Sequence, residues 1–148
     1  MKIIYFDCFS GISGDMIIGS LLDLGLGFKY LEKELGKLKL KNYKVEGKKT
    51  VKSGISATKF DVLEKKQYRH YHERSITEIN SIIQKSKLNK NIKNDIIKIF
   101  HKIAVAEAKV HNMPIDNVHF HEIGAIDTII DVAGAVIGLS KLGIKKIY

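Results

Sequence analysis

Two stretches of this chain carry residues whose types and spacing could do chemistry. The first is Ser10-Gly11-Ile12-Ser13-Gly14-Asp15. Glycines let a backbone come close to an anion, a helix N-terminus aims its free N–H groups at it, and the two serine hydroxyls add donors. Asp15 could hold a metal or cap a following helix, and Asp7 is a weaker metal-ligand candidate just upstream. A tight turn with Asp15 as its cap would use the same residues without any ligand. Neither a Gly-Lys-Ser/Thr phosphate loop nor a Gly-x-Gly-x-x-Gly fingerprint occurs. A phosphatase forming an aspartyl-phosphate on Asp7 would need a second acid at position 9, and Phe9 stands there.

The second stretch is His119-Phe120-His121-Glu122, followed by Asp127 and Asp131. In an extended segment His119 and His121 project to one face. Asp127 and Asp131 are four apart, on one face near the start of a helix. Two imidazoles with a carboxylate suit a first-row dication such as nickel or zinc. In the competing reading one histidine is a core or surface residue and the aspartates only favour the helix N-terminus. A third candidate is His70-Tyr71-His72, inside a polar stretch from Glu64 to Arg74 without hydrophobic period. It reads equally as a metal-delivery arm or as a solvated loop. Cys8, the sole cysteine, is either a thiolate near a ligand loop or a small buried residue ending a strand.

The elements that must position these residues follow from the apolar pattern. Ile3 to Phe6 form a short β-branched and aromatic run, a buried strand; the serine-glycine turn follows, and a helix carries Ile17, Ile18, Leu21 and Leu22 up to Gly25. Two alternating segments around Ser53-Gly54 predict a hairpin with one solvated face. Ser75 and Glu78 predict a capping box starting a helix at Ile76. Gly134 and Gly138, with Ala133 and Ala135, give the last helix a small-residue face suited to close packing. The fold class is α/β: a mixed sheet of about four to five strands near 2–7, 43–51, 55–63, 117–121 and 144–148, packed with helices near 14–25, 28–38, 76–86, 91–111 and 124–142.

A chain of 148 residues fits one domain with a real core. Its net charge is +9, yet only Arg69 and Arg74 are arginines and the lysines are scattered. That distribution looks like a compositional bias rather than a nucleic-acid face, which favours clustered arginine. A nucleic-acid partner is therefore the weaker inference. No apolar segment reaches the ~20 residues of a membrane span, and Asp7 and Asp15 interrupt the only candidate for a signal peptide. The expected location is cytoplasmic. Because the chain stops on an apolar residue inside a strand just begun, it reads as the amino-terminal portion of a longer protein. The oligomeric state is left open, a homo-oligomer included.

The run from Ile4 to Met16, continued by Gly19-Ser20-Leu21-Leu22-Asp23-Leu24-Gly25, resembles the opening of the LarC family. Val118 to Val132 resembles that family's second block. The family comprises the nickel-insertion proteins of the lactate racemase cofactor pathway. The resemblance implies insertion of nickel into pyridinium-3,5-bisthiocarboxylic acid mononucleotide, a chelatase (cyclometallase) reaction of the lyase class. It also implies consumption of CTP through a carboxyl-terminal part that this chain lacks; magnesium or manganese are further candidate cofactors. On this reading the 10–15 turn holds the mononucleotide phosphate, His119 and His121 hold nickel, and Asp127 or Glu122 completes the set or accepts a proton. Two alternatives stay open: a nickel- or zinc-binding storage or delivery module without catalysis, and a basic nucleic-acid-binding domain.

Overall fold

The computed structural model describes residues 1–64, 74–120 and 125–148. His70, His72, His121 and Glu122 lie outside the described residues. The elements in chain order are β1 (Lys2–Ile4), α1 (Gly14–Asp23), α2 (Phe28–Gly36), β2 (Tyr43–Lys52), β3 (Ile55–Glu64), β4 (Arg74–Ser75), α3 (Ile76–Lys85), α4 (Lys90–His111), a 3-10 turn (Ile115–Asn117), β5 (His119–Phe120), α5 (Ile126–Leu142) and β6 (Ile144–Ile147).

The α/β class and the five helices agree with the apolar pattern, but the strands do not join into one mixed sheet. Among the described residues they form three two-stranded sheets: β1 with β6, β2 with β3, and β4 with β5. The first pair is parallel and is extended by Tyr148 N–H donating to Ile4 O (2.9 Å) and Phe6 N–H donating to Tyr148 O (2.8 Å). The β2–β3 hairpin turns at Ser53-Gly54, both at positive φ, 50° and 78°. The predicted contrast between a buried and a solvated face exists only near the base, where Val45 and Phe60 are buried; residues 48–57 are exposed on both faces.

The core is a stack of helices, each contributing one stripe. Ile18 and Leu21 of α1, Leu31 and Leu35 of α2, Ile79 and Ile83 of α3, Ile96 and Phe100 of α4, and Ile129, Ile130 and Ile137 of α5 are all fully buried. Spacings of three, four and seven place each stripe on one helical face, with Ile129 beside Ile130 in α5. The capping box forms as its sequence requires: Ser75 N–H donates to Glu78 Oε2 at 2.8 Å, and Glu78 N–H donates to Ser75 Oγ at 3.2 Å.

Two close approaches fix α1. A Cβ added to Gly19 would stand 2.2 Å from the Thr58 carbonyl oxygen, so only glycine lets α1 lie against β3. Nearby, Asp23 accepts from Thr58 N–H at 2.9 Å, from Thr58 Oγ1 at 2.7 Å and from the Lys49 ammonium. These bonds, Lys49 first, hold the Asp23 carboxyl below its ordinary range. The seam between α1 and α5 uses glycine in the same way. A Cβ on Gly134 would meet Ile18 at 2.6 Å, and one on Gly138 would meet Leu21 at 2.8 Å. The small-residue face of α5 is thus a packing surface, as its composition predicts.

Candidate functional site

The α1–α5 contacts determine which ends meet. Gly14 faces Asp131, Ile18 faces Gly134, and Leu21 faces Gly138. Residue numbers rise together on the two helices, so α1 and α5 run in the same direction with their N-termini side by side. Both first turns carry an acid, Asp15 in α1 and Asp127 in α5. Two positive dipole ends therefore converge where β1 hands the chain to α1, beyond the carboxyl end of a parallel strand. The serine-glycine turn and the two aspartates of the second stretch, more than a hundred residues apart, share this end of the molecule.

The turn itself is held by Gly11 N–H donating to Cys8 O (2.9 Å), with Gly11 at φ 84°. Ser13 stands at the N-cap of α1 without a side-chain capping bond; its hydroxyl instead donates to the Asp15 carboxylate. Asp15 is thus a first-turn acid and not the cap itself. Ser10, Gly11 and Ser13 are exposed, as is Asp7, while Cys8 is half-buried and free.

Asp131 is the joint of the site. A Cβ on Gly14 would lie 2.5 Å from Asp131 Cβ and 2.9 Å from its Oδ2, so glycine at position 14 makes room for this carboxyl. The Asp15 backbone N–H donates to it. Asp131 Oδ1 is buried without a hydrogen-bond partner among the described residues. Burial first, then the neighbouring charges of Asp15 and Asp127, push the Asp131 carboxyl up to about 7, against the pull of the Asp15 N–H. Sequence spacing grouped Asp131 with Asp127 on one helical face but gave it no role. Its contact with Gly14 joins two blocks that no local pattern connects.

His119 stands beside the first turn of α3. In β5 it pairs in register with Ser75 and stands close enough to Glu78 for its charge to act on that carboxyl. Glu78 is held below its ordinary range chiefly by the Ser75 N–H and hydroxyl, with Arg74 and His119 adding to the effect. Asp127 accepts from the Thr128 N–H at 2.7 Å and faces Asp131. Among the described residues, no three His, Cys, Asp or Glu side chains converge as a metal-binding group. No described helix is long and apolar enough to cross a membrane.

Comparison with known proteins finds relatives along the whole chain. A family model described as nickel insertion protein matches residues 4–148. A pyridinium-3,5-bisthiocarboxylic acid mononucleotide nickel insertion protein of Geobacillus kaustophilus is 49% identical, over 99% of this chain and 38% of its own length. Proteins of the same description from Acetivibrio thermocellus and Desulfitobacterium hafniense are 46% and 43% identical over the whole chain, again 38% and 36% of their own length. The chain therefore spans well under half the length of these curated relatives. No solved structure matches it. With both blocks and every residue between them inside the matched range, the chain belongs to the nickel insertion family.

Proposed function

We propose that this chain supplies the metal-insertion site of an enzyme that places nickel into pyridinium-3,5-bisthiocarboxylic acid mononucleotide. The observation that supports this reading is the joint at Gly14, Asp15 and Asp131, which brings the serine-glycine turn and the start of α5 to one end of the molecule. Ser10, Gly11, Ser13 and Gly14 would seat the mononucleotide phosphate with donors from hydroxyls and backbone, and Asp15 would orient Ser13. The three aspartates repel a phosphate, so the hydroxyls and the two helix N-termini must offset them. The same aspartates favour the ring cation and the incoming metal.

Nickel is the cargo. His119 and His121 would hold it, with Asp127 or Glu122 as the carboxylate ligand and Asp7, His70 and His72 as outer capture points. Weak, mixed ligation suits a metal that must be surrendered to carbon and sulfur. In the insertion step the pyridinium C–H bond breaks, its electron pair forms the carbon–nickel bond, and the proton passes to Asp127 or Glu122. The thiocarboxylate sulfurs supply the remaining bonds. CTP consumption, with magnesium or manganese as its accompanying metal, we assign to the remainder of the longer relatives, for which these 148 residues would form one α/β domain.

Nickel titration by calorimetry tests the ligand set. A chain carrying both His119→Ala and His121→Ala should lose at least about tenfold in nickel affinity. Undiminished affinity in that double variant would remove the site.

A further inference from the structure

Phe9 has no part in the site as described so far. The Cys8–Gly11 turn puts it at the first corner, and it is 97% exposed. Such corners are ordinarily filled by proline, glycine or small polar residues for backbone reasons, so local chain geometry does not call for a ring there. Nor does packing, since an exposed ring forgoes the burial that stabilises other phenylalanines in this fold, such as Phe60 and Phe100. Tyr5, Ile12 and Met16, which flank the turn in the chain, are also open to solvent, at 71%, 41% and 58%. The rim is therefore apolar, and the Asp15 carboxylate follows it in the first turn of α1, with the N-terminus of α5 alongside.

A flat cation fits such a surface. Its face stacks on the ring while nearby carboxylates answer its charge. A ligand that joins a flat cation to a phosphate would also reach Ser10 and Ser13, one and four residues further along the chain. Inorganic phosphate alone would bring no cation of its own to answer the aspartates. We propose that Phe9 is the stacking platform for the cationic ring of a pyridinium mononucleotide, and so a residue that determines specificity. This rests on the substrate reading given above.

The test is calorimetry of the chain with nicotinamide mononucleotide, a stable pyridinium mononucleotide, against ribose 5-phosphate, which lacks the ring. The wild-type chain should favour the pyridinium compound by about tenfold, the scale of one ring stacked on one aromatic side chain. Phe9→Ala should erase that preference while leaving affinity for ribose 5-phosphate in place, and Phe9→Tyr should keep it. A Phe9→Ala chain that retains the full preference overturns the platform and leaves the substrate reading standing; the ring then serves another contact. Equal weakening toward both compounds also overturns it, because the turn and not the stack was damaged. A wild-type chain that binds neither compound overturns the platform together with the substrate reading.

Discussion

Asp131 has the most demanding surroundings of any side chain in the described molecule. An aspartate in the unfolded chain loses its proton near 3.8, whereas here it does so at about 7. Between those values the folded protein binds a proton that the unfolded chain does not. Stability therefore falls as pH rises through that window, and the penalty is complete above about 7. Asp131→Asn keeps an acceptor for the Asp15 N–H and removes the titration. Solvent still reaches part of the carboxyl, so the effect is discounted to about 1 kcal/mol. Between pH 5 and pH 8 the stability difference should move in the variant's favour by that amount, about 3 °C in Tm. Thermal melts at the two pH values read it directly, and parallel curves would show that the carboxyl is ionised throughout. Sequence showed Asp127 and Asp131 on one helical face, because four residues make about one turn. It could not show that Gly14 would be the neighbour, because that depends on how two distant helices align.

At the scale of elements, glycine decides which helices can touch. Alanine ordinarily stabilises a helix over glycine by about 1 kcal/mol. At Gly19 the new methyl would run into the Thr58 carbonyl at 2.2 Å, and backbone has little room to yield. Gly19→Ala should therefore destabilise the fold by about 2 kcal/mol in urea unfolding. Gly134→Ala meets side-chain atoms, chiefly of Ile18, and no backbone, and should cost less. If Gly19→Ala raised the unfolding midpoint, the close approach of α1 to β3 would be wrong. Ser75→Ala removes the acceptor for the Glu78 N–H and should cost about 1 kcal/mol. The capping box and the helix stripes were legible because their signals are local. The division of the strands into three pairs was not, since alternation shows which residues face the core and not which strand lies alongside. The two-residue strand at Arg74–Ser75 carries too little pattern to be read at all.

For the whole molecule, the decisive question is what a net charge of +9 is for. Much of the local charge on the hairpin is already answered within the fold: Lys44 and Lys48 bracket Glu46, Lys49 reaches Asp23, and Lys59 meets Asp61 at 2.6 Å. The lysines on Glu46 hold that carboxyl at about 2. Cations occupied in this way release fewer counterions on meeting a polyphosphate, so affinity for duplex DNA should be weak at physiological salt. Nickel held by imidazole and carboxylate is bound by short coordination bonds, on which salt acts far less. Two titrations at 50 and 300 mM NaCl separate these cases. Nickel affinity should change by about twofold or less, and random duplex DNA should show no saturable binding at the higher salt. A DNA affinity that persists, falling with a steep slope in the logarithm of salt, would make the lysines a working surface. The nucleic-acid reading set aside on arginine content would then replace the metal site as the account of this fold.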